Sequence, residues 1–230
     1  MFKALLWDLD NTILDFNLAQ ANSLKAAFER FELGECDKDI IDKFAEINAA
    51  HWQMLEEERI TKNDVYRLRF EALLSECGKQ GIVDALEIND CFEKGICNTI
   101  SFLDNAYELL FSLKKEYALY CVTNGATDIQ KQRIRDSKLN EIFLEVFISD
   151  EIGFDKPNKE FFDFALSHII PCERDEILII GDSLSSDMKG ANNAQLKCCW
   201  YNPNCLPRPE SIRIDYEIQK LDEIKKILGN

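Results

Sequence analysis

The sequence contains no apolar stretch long enough to span a lipid bilayer. It is also poor in basic residues, because 27 Lys and Arg stand against 42 Asp and Glu and give a net charge of −15. Such a charge opposes binding to nucleic-acid polymers and to anionic membranes. Acidic residues begin at position 8, so we expect no secretory signal. The chain is therefore predicted to act neither on membranes nor on nucleic-acid polymers.

Disulfide patterns are absent, although the chain has nine cysteines. Their number is odd, their spacing is irregular, and no two of them form a Cys-x-x-Cys pair. Cys198 and Cys199 are adjacent within an apolar run, where thiols pack as small hydrophobic groups. We therefore expect buried, reduced thiols and a reducing compartment, most simply the cytoplasm.

The first functional signal is a pair of carboxylates at the end of an apolar run. Residues 4–7 predict a buried strand, and Asp8 and Asp10 follow it directly, with Thr12 close behind. Carboxylates two residues apart can hold a hard divalent cation while one of them attacks an electrophile. A strand that ends in a solvated acidic turn has the same pattern, so this motif alone leaves both interpretations open.

The second signal follows the apolar residues 119–122, which predict another buried strand. Thr123, Asn124 and Gly125 come next, and a turn of this kind presents a hydroxyl and backbone N–H groups to phosphate oxygens. Asn-Gly is also a common turn sequence, so this cluster is ambiguous when it is taken alone.

The third and fourth signals follow the predicted strands at 146–149 and 177–180. Lys156 lies on the loop after the first of these strands, where a lysine is usually a solvated surface residue. Asp182 follows the second strand through a glycine, and Asp187 lies further along. This last cluster repeats the pattern of the first, with a carboxylate at the carboxyl end of a strand.

Taken together, the four clusters predict one binding site in an α/β fold. Open parallel sheets bind their ligands at the carboxyl ends of the strands, where all four clusters are expected to lie. Carboxylates, a hydroxyl, a lysine and several turn amides suit a phosphoryl group and a bound cation. Since the acidic ligands offer only oxygen, Mg²⁺ or Mn²⁺ is favoured over Zn²⁺. The predicted partner is a small phosphorylated metabolite.

The character of the sequence changes between the first two clusters. Residues 16–100 have apolar residues at helical spacing and no strand pattern, which predicts helices near 18–32, 38–58, 62–78 and 84–99. Beyond them, helical patterns alternate with strands near 118–123, 145–149, 177–181 and 197–201. The fold class is α/β, a doubly wound, mainly parallel, Rossmann-like core. We predict that residues 1–15 and 101–230 form this core and that residues 16–100 form an inserted helical domain.

In this order the four clusters resemble the motifs of the haloacid dehalogenase superfamily of phosphohydrolases. The matching elements are Asp8-Leu9-Asp10-Asn11-Thr12, Thr123, Lys156 and the segment from Gly181-Asp182-Ser183 to Asp187. The resemblance therefore extends from residue 8 to residue 187. Position 11 is asparagine where many relatives carry glycine, and asparagine also tolerates unusual backbone angles.

The resemblance implies roles for the residues of the first and last motifs. Asp8 would be the nucleophile that forms an aspartyl-phosphate, and Asp10 would act first as general acid and then as general base. Mg²⁺ would be held by Asp8, the backbone carbonyl of Asp10, and Asp182, while Asp187 would support the metal site. Because the dehalogenating branch lacks a second carboxylate, Asp10 disfavours dehalogenation.

The resemblance also implies roles for the two middle motifs and for the inserted helices. Thr123 and Asn124 would bind the phosphate, and Lys156 would offset negative charge as a catalytic and substrate-binding residue. The inserted helices resemble the cap domain of one large branch of the superfamily, which closes over the site and selects the leaving group. Candidate substrate contacts in this cap are Asn17, Trp52 and Arg69.

A narrower resemblance links this chain to the bacterial pyrimidine 5′-nucleotidase branch. It rests on the segments 198–203 and 215–218, on Asn11, and on Arg69 with the phenylalanine after it. It implies a phosphatase for nucleoside 5′-monophosphates. The alternatives are a sugar phosphomutase or a phosphatase for small sugar or acid phosphates, and a non-catalytic binding protein on the same fold. The sequence does not indicate the oligomeric state.

Overall fold

The computed structural model describes residues 1–229 and divides the chain into two compact units. One unit consists of Met1–Asp15 and the chain from Phe102 onward, and the other is Phe16–Ser101. The first unit contains all the strands found in the described residues, and the second is helical.

The helical unit contains four helices: α1 (Phe16–Arg30), α2 (Lys38–Glu56), α3 (Lys62–Glu76) and α4 (Ala85–Ile96). They occur where helical spacing predicted them, with small shifts at the ends. Side-chain caps fix three of the starts, since Asp37 accepts the backbone N–H of Ile40, Thr61 that of Asp64, and Asp84 that of Leu86. Such caps satisfy N–H groups that have no partner within the helix.

Arg69 lies in the interior of this helical unit, where only 1% of it is exposed. Its guanidinium donates to Asn48 at 2.9 Å, to Asn89 from Nε at 3.2 Å, and to Glu93. Asn48 in turn donates to Gln20 at 2.9 Å, so the network reaches all four helices. A buried guanidinium needs this many partners because desolvation of an unpaired charge is costly. The expectation that Arg69 contacts substrate is therefore corrected to a role inside the unit.

The α/β unit is built on six strands: β1 (Ala4–Trp7), β2 (Ala118–Thr123), β3 (Glu145–Ile148), β4 (Ile177–Gly181), β5 (Lys197–Tyr201) and β6 (Tyr216–Ile218). They form one sheet in the order β3-β2-β1-β4-β5-β6, and all pairings are parallel. The helices of this unit are α5 (Ala106–Leu113), α6 (Thr127–Asp136), α7 (Ser149–Ile152), α8 (Lys159–His168), α9 (Lys189–Asn193) and α10 (Ile224–Leu228). The predicted α/β class with a parallel, Rossmann-like sheet is confirmed.

The strands are apolar along their length because both faces of the central sheet are covered. All four residues of β1 are completely buried, and so is most of β4. A parallel sheet buried in this way requires continuous apolar strands and not alternating ones. On one face, α8 and α9 pack through Phe161, Phe162 and Ala191. This packing explains why unbroken apolar runs were the clearest signal in the sequence.

The register of the sheet brings the ends of three strands together. Trp7, the last residue of β1, pairs with Cys121 of β2 and with Ile180 of β4. Asp8, Thr123 and Asp182 therefore follow at similar heights on adjacent strands. The strand order changes direction at β1, since the chain moves to β2 and β3 on one side and then to β4 on the other. Ligands of open α/β sheets bind at such a switch point.

Two predictions about the chain as a whole can be compared with this structure. All nine cysteines are free thiols, but the expectation that they are buried holds for only four of them, Cys97, Cys121, Cys198 and Cys199. Four others are half-buried, and Cys205 is exposed. Within residues 1–229, every helix is too short or too polar to cross a membrane.

Candidate active site

Asp8 and Lys156 form a buried ion pair at the carboxyl edge of the sheet. Lys156 Nζ donates to Asp8 Oδ1 at 2.6 Å, to Asp187 Oδ1 at 2.6 Å, and to the carbonyl of Val122 at 3.0 Å. Burial lowers the pKa of Lys156, but attraction to Asp187 and Asp8 outweighs burial and holds this pKa above its ordinary value. Lys156 is thus a fixed cation within the site, and not the solvated loop lysine that its position in the sequence also allowed.

Three carboxylates surround this one cation. Ligand oxygens of Asp8, Asp182 and Asp187 all lie within 4.8 Å of one another. Burial and the neighbouring charge of Asp187 raise the pKa of Asp8 well above its ordinary value, and the same two causes raise the pKa of Asp182 to about 7. When all three carboxylates are ionised, the single lysine does not neutralise them, and a divalent cation would balance the remaining negative charge. Its oxygen-only donor set fits Mg²⁺ or Mn²⁺.

Asp182 is held in this cluster from two sides. Thr12 Oγ1 donates to Asp182 Oδ1 at 3.2 Å, and Trp200 Nε1 donates to the backbone carbonyl of Asp182 at 2.8 Å. Trp200 is only 1% exposed, and the hydroxyl of Tyr201 contacts Asp104 at 3.3 Å. These two aromatic residues therefore support the sheet edge by packing and hydrogen bonding.

Asp187 approaches the sheet so closely that Gly181 has no room for a side chain. A Cβ atom at Gly181 would lie 2.2 Å from Asp187 Oδ2, far inside van der Waals contact. The same oxygen accepts the backbone N–H of Ser183 at 3.1 Å, while Oδ1 accepts from Lys156. Asp187 is completely buried and orients Lys156. Its support of a metal site stays a prediction.

The Asp10 side chain is directed toward α6 and is absent from the three-carboxylate cluster found in the described residues. Arg133 Nη1 donates to Asp10 Oδ1 at 2.5 Å, and Gln130 Nε2 donates to Asp10 Oδ2 at 2.9 Å. Gln130 also donates to Thr123 Oγ1 at 2.8 Å. A metal contact of Asp10 through its backbone carbonyl stays a prediction, as does phosphate binding by Thr123.

Asn124 uses its side chain to fix the backbone of Lys156. Its Oδ1 accepts the N–H of Lys156 at 2.9 Å, and its Nδ2 donates to the carbonyl of the same residue at 2.9 Å. The next N–H, of Gly125, is donated to Ser149 Oγ at 3.3 Å. The turn after β2 was expected to offer these groups to phosphate. In the structure they join the second motif to the third, because this two-point contact places the lysine.

The turn after Asp10 explains the residue type at position 11. Asn11 has a φ of 58°, in the left-handed region that most side chains avoid. Asparagine adopts this region more readily than most residues, since its short amide can bond locally. The substitution for the glycine of many relatives is therefore compatible with the same turn.

The remaining candidates, Asn17 and Trp52, belong to the helical unit. Asn17 is exposed near the start of α1, and Trp52 is half-buried in α2. Their contact with a substrate stays a prediction.

Gln130 and Arg133 are site residues that the sequence did not reveal. They lie on α6, whose sequence is strongly polar and contains several charged residues. Nothing in that pattern distinguishes the buried Arg133 from the exposed Arg135 two positions later. Two features of the sequence could have indicated these residues. The helix begins shortly after the second motif, and it carries two long polar residues three positions apart.

A comparison with protein families matches residues 5–201 to the haloacid dehalogenase-like hydrolases. The chain belongs to this family. The match covers most of the chain and includes every residue of the site described above. The superfamily resemblance and the prediction of a phosphatase are both confirmed.

Three relatives align over nearly the whole chain. The HAD-hydrolase YfnB of Bacillus subtilis is 37% identical over 99% of this chain and 96% of its own length. Its magnesium-bound crystal structure superposes with a TM-score of 0.94 at 36% identity, covering 100% of this chain and 99% of that one. The pyrimidine 5′-nucleotidase PynA of Streptococcus pneumoniae is 33% identical over 97% of this chain and 93% of its own. The pyrimidine 5′-nucleotidase YjjG of Escherichia coli is 27% identical over 97% and 96%.

Proposed function

We propose that this phosphatase is a Mg²⁺-dependent phosphomonoesterase that works through an aspartyl-phosphate and acts on nucleoside 5′-monophosphates. One observation carries the chemistry: the carboxylate of Asp8, at the end of the central strand, is held by Lys156 beside Asp182 and Asp187. Lys156 engages Oδ1 of Asp8, and we assign the other oxygen, Oδ2, as the nucleophile.

The reaction proceeds in two displacements on phosphorus. Asp8 Oδ2 forms a bond to phosphorus while the bond to the leaving oxygen breaks, and Asp10 gives its proton to that oxygen. The ionised Asp10 then removes a proton from a water molecule, whose oxygen attacks phosphorus and releases Asp8 and inorganic phosphate. Before the attack, the positive charge of Lys156 favours the ionised form of Asp8. In both steps Lys156 orients the Asp8 side chain, and Thr123 binds a phosphoryl oxygen.

The metal would be held by Asp8 and Asp182, with the backbone carbonyl of Asp10 as a further ligand and Asp187 behind them. When bound, Mg²⁺ supplies positive charge that offsets repulsion between the phosphoryl oxygens and these carboxylates. The magnesium-bound structure of YfnB supports this assignment through the similarity of the two chains.

Metal removal should abolish hydrolysis reversibly. Treatment with EDTA is expected to reduce phosphate release to background, and added Mg²⁺ should restore it without refolding, because the carboxylates are already held by Lys156, Thr12 and Ser183. A coupled phosphate assay before and after metal addition measures both effects. Full activity in metal-free protein would contradict the assignment.

The same metal site should make stabilisation by Mg²⁺ depend on pH. The folded-state pKa of Asp182 is raised to about 7, so its proton stabilises the metal-free fold at low pH, and this contribution is lost as the pH rises through about 7. Mg²⁺ replaces the lost proton. The rise in melting temperature on adding Mg²⁺ should therefore be larger at about pH 8 than at about pH 5. An equal rise at both pH values would argue against metal binding at Asp182.

The substrate class is supported by the two relatives that are pyrimidine 5′-nucleotidases and that align over nearly the whole chain. The local likeness of residues 198–203 to that branch supports the fold more than the substrate, since Trp200 and Tyr201 are used in packing and hydrogen bonds. Selection among nucleotides is assigned to the helical unit, with Asn17 and Trp52 as candidate contacts.

A substrate panel tests this assignment directly. Phosphate release should be measured with Mg²⁺ on nucleoside monophosphates, sugar phosphates and acid phosphates of two or three carbons. We expect kcat/KM to be highest for nucleoside 5′-monophosphates. Asn17→Ala and Trp52→Ala should change the ranking of nucleotides more than the hydrolysis of an aryl phosphate, which lacks the nucleoside.

Two other outcomes of the panel would change the assignment. A strong preference for sugar phosphates would overturn the nucleotidase while leaving the phosphatase intact. Phosphate transfer within a sugar phosphate, dependent on a bisphosphate activator, would identify a phosphomutase.

A further inference from the structure

Two long polar side chains of α6 are buried beside the proposed acid–base residue. Gln130 is 2% exposed and Arg133 is 1% exposed, and their spacing of three residues places them on one face of the helix. Burial of an amide and a guanidinium is costly unless their polar atoms are hydrogen-bonded. Both side chains donate hydrogen bonds to Asp10 in the site itself, which indicates a role beyond packing.

These bonds form a network around the Asp10 carboxylate. Arg133 Nη1 donates to Asp10 Oδ1 at 2.5 Å and to Gln130 Oε1 at 2.8 Å. Gln130 Nε2 donates to Asp10 Oδ2 at 2.9 Å and to Thr123 Oγ1 at 2.8 Å. Both carboxylate oxygens are thus contacted from α6, and one amide group connects this carboxylate to the hydroxyl that we assign to phosphate binding.

We propose that Arg133 and Gln130 are positioning residues that hold the Asp10 carboxylate at a fixed place relative to Thr123, where it meets the leaving oxygen of the bound phosphate. The inference rests on the proposed function, because it concerns the same reaction. Arg133 and Gln130 act through Asp10 and are not assigned a contact with substrate.

Asp10 needs such a constraint more than Asp8 does. Its side chain is 23% exposed, against 8% for Asp8, and it follows the end of β1 by three residues. Proton transfer requires a separation of about 2.6–3.2 Å between the heavy atoms, so the carboxylate must be placed accurately. A displacement of about 1 Å can cost about 10²-fold in rate. The hydrogen bonds from α6 fix the Asp10 carboxylate from outside the turn that carries it.

The positioning of a general acid has a kinetic signature that a purely structural role lacks. A nucleoside leaves as a poor alkoxide and needs a proton, whereas dinitrophenolate is a stable anion that departs without one. The constant kcat/KM reports the steps up to departure of the leaving group. Hydrolysis of the aspartyl-phosphate, which also uses Asp10, affects kcat instead, so kcat/KM is the appropriate measure.

The experiment measures kcat/KM for Arg133→Met and Gln130→Met with Mg²⁺, using a nucleoside 5′-monophosphate and dinitrophenyl phosphate. We expect the nucleotide value to fall about 10–100-fold, within the about 10²–10⁴-fold that acid–base catalysis contributes. The dinitrophenyl phosphate value should change less than about threefold, since its leaving group needs no acid. Arg133→Lys, which retains a cation, should recover part of the loss.

Two controls separate positioning from general damage to the helix. Arg135→Met makes the same change on an exposed residue of α6, which pairs with Asp136 at the surface, and should leave both values unchanged. In the Asp10→Asn background, Arg133→Met should add little further loss, because the group that it positions is already gone.

Each alternative result has a definite meaning. Equal losses for both substrates, or a full additional loss in the Asp10→Asn background, would show that α6 acts through general structure and would overturn the inference. A gain in nucleotide kcat/KM would overturn it too, since the network would then hold Asp10 away from its working position. If the unaltered protein hydrolysed neither substrate, the proposed function itself would fail.

Discussion

Replacement of Asp8 by Asn should reduce phosphate release to background while the protein remains folded. The amide has nearly the volume of the carboxylate but is a far weaker nucleophile, so no acyl-phosphate can form at this position. It also removes one negative charge from a cluster that holds three carboxylates within 4.8 Å, so the metal-free fold should not lose stability. Steady-state hydrolysis and mass spectrometry of the acid-quenched enzyme measure activity and the phosphoryl adduct together.

Asp175→Asn is the matched control for this variant. Asp175 is exposed and lies just before β4, at the opposite edge of the sheet from the site, so both activity and adduct should be unchanged. Near-normal turnover in Asp8→Asn, or an adduct that persists in it, would defeat the covalent mechanism.

Replacement of Lys156 by Met should abolish activity and also destabilise the metal-free protein. Lys156 Nζ lies 2.6 Å from both Asp8 and Asp187, and the variant leaves these buried carboxylates without their cation. Removal of one partner from a buried ion pair typically lowers the free energy of unfolding by about 3–5 kcal/mol. Denaturant unfolding without metal measures this loss. Mg²⁺ should recover part of the stability but little activity, because it binds the folded carboxylates without replacing Lys156.

Lys159→Met is the corresponding surface change. Lys159 pairs with Asp163 at the surface of α8, and its loss should alter the free energy of unfolding by less than about 1 kcal/mol. If Lys156→Met were as stable as this control in metal-free buffer, the lysine charge would not be what holds Asp8 and Asp187 together.

The sheet and the principal site residues were predictable because they depend on local pattern. A strand of a parallel sheet covered on both faces must be apolar throughout, so each run of buried residues stands out and its end is visible. Asp8 and Asp182 follow such ends directly. Since parallel strands share one carboxyl edge, the pattern also implied that these two residues meet.

The sequence predicted the inserted helices. It did not predict which of their residues face inward. Arg69 was a reasonable substrate contact on its sequence, since arginine is usually exposed. Its burial depends on Asn48, Asn89 and Glu93, which lie on other helices and are distant in sequence. A single sequence does not show that such partners meet.

Asn124 illustrates a similar limit within a motif that was recognised. Its place after β2 indicated a polar group at the site, but a turn asparagine can serve either a ligand or the backbone. The choice depends on where the loop before α8 passes, and that loop brings the N–H and the carbonyl of Lys156 to the amide.

The sequence by itself determined the α/β class, the helical insertion, the four motifs and hence the family, because apolar periodicity and residue type at strand ends are local properties. Only the tertiary structure decided how the polar side chains are paired: Lys156 between Asp8 and Asp187, and Asp10 against Gln130 and Arg133. The physical reason is that a buried charge or amide is stable only with partners, and those partners come from segments that the fold alone brings together.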